Sequence, residues 1–340
     1  MNAGMGAVAR LTSRLPWLRW VETWGVSLAS LVLGLLTLLV FRRGLPHVGW
    51  IVGYLLLLWL IFAALSEWRA ALEDRGRHRV VGVGEYAMQS LYHGLLLFVL
   101  PAYYASATLT SVNVFFLGGV AAGALVTAVD PGYRRLVHPR PWLNHVLFGF
   151  SIFSALNVAL PLVGARPLLA LEGSAVLAVM ALAPVLRRHG AIGWGRALQQ
   201  AAALACLAAL VAWNGRVLVP PAPLFVKRAV AARTVDVLEP VDVIEGAVPA
   251  ATVAGWGELA AFTAVHAPGG LRQGVTHVWM RNGTVLARIP LSPVRGGRAE
   301  GFRTWSRRRD LRPPLDGRYT VDVVTTSGQL VGRLRFTVTP

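Results

Sequence analysis

Long uncharged runs fill the first two thirds of the chain, and short runs of alternating apolar and polar residues fill the last third. The change falls at Trp213-Asn214-Gly215-Arg216, which leads into Pro220-Pro221-Ala222-Pro223. Runs at Thr23–Phe41 and roughly Pro46–Leu65 are each long enough to cross a hydrocarbon core about 30 Å thick. From Tyr86 to Val129, 44 residues pass without Asp, Glu, Lys or Arg. That is too long for one crossing and predicts two, turning near Ala105–Ser111 and stopped by Asp130-Pro131-Gly132. Three further spans are expected at about Trp142–Leu160, Pro167–Leu186 and Trp194–Trp213, making seven. The charged stretch Glu67–Arg79 reads as a helical loop between the second and third.

Beyond Pro223 the period changes to two. Asn282-Gly283 accepts the positive φ angles of a type I′ turn and predicts a hairpin of Thr276–Arg281 with Thr284–Ile289. Closing it pairs Met280 with Val285 and Val278 with Ala287 on one face, and Trp279 with Leu286 and His277 with Arg288 on the other. A second hairpin turns at Ser327-Gly328 and sets Val321 against Leu334, Tyr319 against Phe336 and Asp322 against Arg333. With Val226–Val237, Glu258–His266 and Phe302–Ser306 as further strands, the pattern predicts an Ig-like antiparallel β-sandwich. The expected organisation is a seven-helix transmembrane bundle over 1–216, a Pro-rich linker over 217–223 and the β-domain over 224–340.

Composition agrees with a polytopic membrane protein, since 55% of residues are hydrophobic and only 14% charged, against about 25% charged in average soluble chains. The net charge of +17 is almost all arginine, with Lys227 the one lysine. Such a chain favours anionic lipid or another polyanion, nucleic acid being the weaker reading. With the amino terminus cytoplasmic, inside segments hold thirteen arginines (Arg10, Arg14, Arg19, Arg69, Arg75, Arg77, Arg79, Arg134, Arg135, Arg140, Arg187, Arg188, Arg196) and outside loops three (Arg42, Arg43, Arg166). This bias predicts that the β-domain after Trp213 is extracytoplasmic. Trp17, Trp20, Trp50, Trp142, Trp194 and Trp213 fall near span ends, the depth that amphipathic rings prefer. Arg42-Arg43 follows the first run with no small-residue cleavage site, so that run reads as an uncleaved span. Cys206 is the one cysteine, which excludes an intrachain disulfide.

The residues His277-Val278-Trp279, Asn282-Gly283, Phe302-Arg303-Thr304-Trp305-Ser306, Gly317 to Val323, and Gly328 with Phe336-Thr337-Val338 resemble a bacterial C-terminal domain family known as domain of unknown function 2914. The resemblance is strongest over Gly274–Val338. Arg307 departs from the family pattern, where a second small hydroxyl residue is expected, and Tyr319 stands where tryptophan is common. Because that family has no settled activity, the resemblance implies a fold and an envelope context and supplies no reaction.

Two groups of residues are candidates for chemistry. Arg303 and Trp305 alternate along one strand and share a face, where a flat ring beside a guanidinium fork suits a sugar, a carboxylate or a lipid phosphate. Ser306 belongs to the same motif, and Trp279, His277 and Arg288 are candidates to continue that face. The competing reading is a structural arginine on tryptophan, tied to Asp310 or Asp316. Arg295–Arg318 holds eight arginines against Glu300, Asp310 and Asp316, which either attracts anionic headgroups or is simply solvated.

In the bundle, Glu85, Gln89 and His93 recur every four residues on one helical face, and Asn113, Asn157 and Glu172 could join them. Interhelical hydrogen bonds worth roughly 0.6 kcal/mol on average would account for them without transport or catalysis. No catalytic group, cofactor motif or metal-ligand spacing stands out. The leading expectation is a membrane protein presenting an envelope binding or sensing module to anionic lipid, glycan or a membrane partner protein. The alternative is a transporter or lipid-modifying enzyme using the polar residues of the bundle.

Overall fold

The computed structural model describes residues 48–340, with side chains from Ile51. The expected span Thr23–Phe41 and Arg10, Arg14, Arg19, Trp17, Trp20, Arg42 and Arg43 lie outside the described residues. Among the described residues eight α-helices precede the strands: α1 (Val48–Asp74), α2 (His78–Ser106), α3 (Val114–Ala128), α4 (Asp130–Leu136), α5 (Pro141–Leu162), α6 (Pro167–Met180), α7 (Ala183–His189) and α8 (Trp194–Asn214).

Among the described residues, four segments, Ile51–Asp74, Pro141–Leu162, Pro167–His189 and Trp194–Asn214, are long and apolar enough to cross a membrane, or five if the bent pair α3–α4 is one span. The sequence pattern predicts six crossings here. The shortfall lies in α2, where Gln89, Ser90, His93 and several tyrosines dilute the apolar run, and in α3, which is too short alone. The Asp-Pro-Gly stop is real, since α3 ends at Ala128 and α4 departs at 104°. The charged stretch after Leu65 is not a separate loop, because α1 runs on to Asp74 with Arg69 and Glu73 paired one turn apart at 2.9 Å.

Helical residues divide between lipid-like and packed positions as the sequence dictates. In α1, Ile51, Leu55, Leu58 and Phe62 are buried at three- and four-residue spacing, while Leu56, Leu57 and Leu60 are exposed. In α8 the buried seam is Ala197, Ala201 and Ala205, with Leu204, Leu207, Leu210 and Val211 outward. Small residues every fourth position let a helix approach its neighbour closely, and large apolar side chains left outward suit a lipid solvent.

The chain forms two compact units. The first gathers the described residues up to Leu100 with Gly119–Ala155 and Leu177–Leu204; the second joins Pro101–Gly118 and Leu156–Val176 to Ala205–Pro340. In the second unit a 3₁₀ turn (Arg216–Leu218) leads to Pro220–Leu224, which is buried throughout. The expected Pro-rich linker is therefore a packed segment. Arg216 Nε donates to Ser327 O (2.7 Å), Arg333 Nη1 to Thr110 O (3.1 Å) and Gln329 Nε2 to Val219 O (3.3 Å), tying helix ends to the hairpin that turns at Ser327-Gly328.

The β-domain comprises β1 (Phe225–Asp236), β2 (Glu239–Ile244), β3 (Ala247–Pro249), α9 (Ala250–Trp256), β4 (Leu259–His266), β5 (Arg272–Gln273), β6 (Val275–Arg281), β7 (Thr284–Pro290), β8 (Val294–Arg295), β9 (Phe302–Arg308), β10 (Gly317–Thr325) and β11 (Leu330–Thr339). One sheet has the order β2-β1-β4-β9, another β3-β11-β10-β6-β7, and β5 pairs with β8. All pairings are antiparallel except β3 with β11, so the domain is mixed where a purely antiparallel one is expected. Ala231, Leu259 and Ala261 of the first sheet share a buried cluster with Trp279, Tyr319, Val321, Leu334 and Phe336 of the second.

The β10–β11 hairpin has the predicted register: Val321 faces Leu334, Tyr319 faces Phe336 and Asp322 faces Arg333. The β6–β7 hairpin departs from prediction. Asn282 and Gly283 have φ of 49° and 84° and Met280 faces Val285, but a bulge follows, so that Trp279 faces Ala287, Val278 faces Arg288 and His277 faces Ile289. One extra residue in β7 shifts every later pair.

Candidate functional site

In β4 every residue from Leu259 to Val265 is buried, because both of its faces are covered. Leu259 and Ala261 face the shared core, while Ala260, Phe262 and Ala264 form a second small cluster with Val235 and Trp305 on the other face. The strand register builds this outer face in rows. Arg228, Ala264 and Arg303 lie side by side, then Val230, Phe262 and Trp305, then Ala232, Ala260 and Arg307. Arginine stems cover the apolar floor: the Arg228 guanidinium sits 5.6 Å from the Phe262 ring centre, and that of Arg307 sits 5.0 Å from Trp305.

Glu239 serves both arginines of the first row, at 2.8 Å from Arg303 and 3.7 Å from Arg228. At the other end Glu258 pairs with Arg309 at 3.1 Å and Arg307 at 3.5 Å. Burial acts to raise the Glu258 carboxyl, but hydrogen bonds from Arg309 and Thr234 and the charges of Arg307 and Arg309 bring it below its ordinary range. The partner of Arg303 is thus Glu239 rather than Asp310 or Asp316. Asp310 instead binds Arg308, which points inward.

The remaining motif residues lie elsewhere. His277, Trp279 and Ser306 do not continue the Arg303–Trp305 face, because alternation along β9 turns Ser306 to the interior, where β6 meets it. His277 Nδ1 is 2.8 Å from Ser306 Oγ and its Nε2 is 3.0 Å from Thr263 Oγ1. Trp279 Nε1 donates to the same Ser306 Oγ at 2.9 Å. Both rings are fully enclosed, and burial lowers the His277 pKa to about 4. Arg288 is exposed on β7, the edge strand of the other sheet. Thr263 is a member the motif does not reveal; its only signal is a lone hydroxyl in the run Leu-Ala-Ala-Phe-Thr-Ala-Val.

Among the bundle candidates, Gln89 Nε2 donates to Thr127 O (3.0 Å) and to Asp130 Oδ1 (2.6 Å), at the bend between α3 and α4. His93 Nδ1 lies 3.2 Å from Ala124 O, and its Nε2 is buried without a partner among the described residues. Both therefore face α3, as their four-residue spacing predicts. Asn113 accepts the Thr108 N–H (3.1 Å) in the α2–α3 turn and contacts Leu330 O at 3.5 Å. Asn157 Nδ2 donates to Tyr103 Oη at 3.0 Å. Glu172 is half-buried and makes no hydrogen bond or ion pair among the described residues. Gln89 and His93 belong to the first compact unit and Asn113, Asn157 and Glu172 to the second.

Residues 5–247, more than half of the chain, match the model described as Family of unknown function (DUF5924). The chain belongs to that family. Residues 272–338 match the model described as Protein of unknown function (DUF2914), the resemblance carried by the Arg-Thr-Trp-Ser motif. The DUF5924 match extends past the helices through β1 and β2 and stops in β3. No curated protein matches the chain.

Proposed function

We propose that this DUF5924 protein is an integral protein of the bacterial cytoplasmic membrane whose β-domain, an Ig-like sandwich of two facing sheets, works outside the cytoplasm as a binding or sensing module. Its ligand is an acidic group of the envelope, on a glycan or a lipid. The observation that carries this reading is the first row of the outer face, where Arg228 and Arg303 share the single carboxylate of Glu239 beside Trp305. Two guanidinium groups over an alanine floor keep donors to spare, and an incoming carboxylate or phosphate can take the place of Glu239. The bonds from Arg216, Gln329 and Arg333 support a sensing role, because they join the same domain to helix ends.

Binding of the full chain in neutral detergent to an immobilised anionic glycan, and to anionic vesicles as the second source, tests this across a salt series. Exposed charges are screened over about 8–10 Å near physiological salt, so binding should weaken as salt rises. Arg303→Ala and Trp305→Ala should each weaken it on the order of tenfold, whereas Glu239→Gln, which removes the internal competitor, should strengthen it. Unchanged binding in all three variants would sink the proposal.

A further inference from the structure

Within the first compact unit, α1, α2, α4, α5 and α7 enclose a cavity of about 330 Å³ that, of the expected polar residues, only Glu85 lines. Its floor is apolar, with Phe62, Met88 and Val185 all buried. Its rim is polar and its acids are already engaged. Arg69 holds Glu73 at 2.9 Å and Glu85 at 2.8 Å, and His138 Nε2 lies 3.5 Å from the other oxygen of Glu85.

What remains facing the cavity is rich in donors. The Arg188 guanidinium makes no hydrogen bond or close ion pair among the described residues, although its charge reaches Glu67. Asn144 uses its carbonyl oxygen for the hydroxyls of Tyr92 (3.2 Å) and Tyr133 (3.3 Å), which leaves its amide N–H groups for a ligand. The His145 ring meets His189 edge-on at 5.8 Å, and the His189 Nδ1 lies 3.1 Å from Val185 O. An apolar floor beneath a guanidinium with no hydrogen-bonded partner, an amide and the His145 imidazole suits an acceptor-rich anion carried on an apolar body. The rim also belongs to the ends of α1, α5 and α7, where the candidate spans Ile51–Asp74, Pro141–Leu162 and Pro167–His189 terminate. At such ends a lipid phosphate lies at the same depth.

We propose that this cavity binds the phosphate headgroup of an anionic lipid, with Arg188, Asn144 and His145 as its donors. The site is separate from the outer face of the β-domain and stands whether or not that face binds anything. The test is thermal stabilisation of the full chain in neutral detergent, with bound lipid read by mass spectrometry. Its arms are phosphatidylglycerol, phosphatidylcholine, inorganic phosphate and glycerol phosphate.

Phosphatidylglycerol should stabilise the protein and remain bound. Arg188→Gln should weaken this on the order of tenfold, the worth of a lost charge-assisted hydrogen bond. His145→Gln should act in the same direction, and the exposed Arg188 variant decides the matter if the His145 variant does not fold. Arg135→Gln, outside the cavity, should change nothing. Equal loss in Arg135→Gln, or wild-type binding in Arg188→Gln, would overturn the site. Equal effects of inorganic phosphate and lipid would reassign it to a soluble phosphate and overturn the lipid assignment.

Discussion

His277 has both ring nitrogens hydrogen-bonded and no exposure to water. A neutral imidazole needs one donor and one acceptor there, and Ser306 and Thr263 can supply either arrangement. An imidazolium would make both oxygens accept, and Ser306 would then accept from His277 and Trp279 together inside an apolar core. The ring therefore stays neutral, with its pKa at about 4, against about 6.5 when unfolded. Below pH 6.5 the unfolded chain binds a proton that the folded chain refuses, so stability falls as pH drops towards 4 and no further below it. The full difference is about 3 kcal/mol, of which about 2 kcal/mol lies between pH 6.5 and 5, above the range where carboxylates titrate. Thermal unfolding followed by tryptophan fluorescence should show this slope in the wild type and a flatter one in His277→Gln. Equal slopes would mean that the buried imidazole is not the group responsible.

At the scale of elements, turn chemistry decides where a strand pair begins and packing decides where it goes. Gly283 has a φ of 84° with nothing within 4 Å of where a Cβ would stand, so Gly283→Ala meets backbone strain alone. A loss of about 1 kcal/mol is expected, read as a lowered unfolding temperature, because L residues disfavour this conformation. The Asn-Gly signal was legible for this reason, and so was the β10–β11 register, where Arg333 and Asp322 meet at 2.5 Å. The bulge after Met280 was not, since it follows from how Trp279 must enter the core and leaves no mark in a two-residue period. The short β2, β3, β5 and β8 also escape alternation, being too brief to show it. Arg303 and Trp305 could be placed on one face from spacing alone, but Glu239 lies 64 residues from Arg303, and no local pattern joins them. Likewise the cavity draws on five helices, each contributing residues that read individually as ordinary charged span ends.

For the whole molecule, α2 decides which side of the membrane carries the β-domain. The helices α3–α4, α5, α6–α7 and α8 give four passes if the bent pair is one span, and four passes alone would leave the turn after Asp74 and the β-domain on the same side. A crossing by α2 makes five and separates them. At 29 residues this helix is about 43 Å long, more than the roughly 30 Å of a hydrocarbon core. Its polar residues need not face lipid, since Gln89 and His93 are buried and directed to Thr127 O, Asp130 and Ala124 O. Polar groups turned to protein instead of lipid remove the main objection to a crossing. The arginines agree with that crossing, which would put Arg75, Arg77, Arg79, Arg134, Arg135, Arg140, Arg187, Arg188 and Arg196 on the side of that turn and Arg166 opposite. A reporter enzyme that folds only in the periplasm should therefore be active when fused after Pro340 and inactive when inserted between Glu73 and Arg79. Activity at both positions, or at neither, would show that α2 enters and leaves on one side, and the β-domain would then share a compartment with the arginine-rich turns.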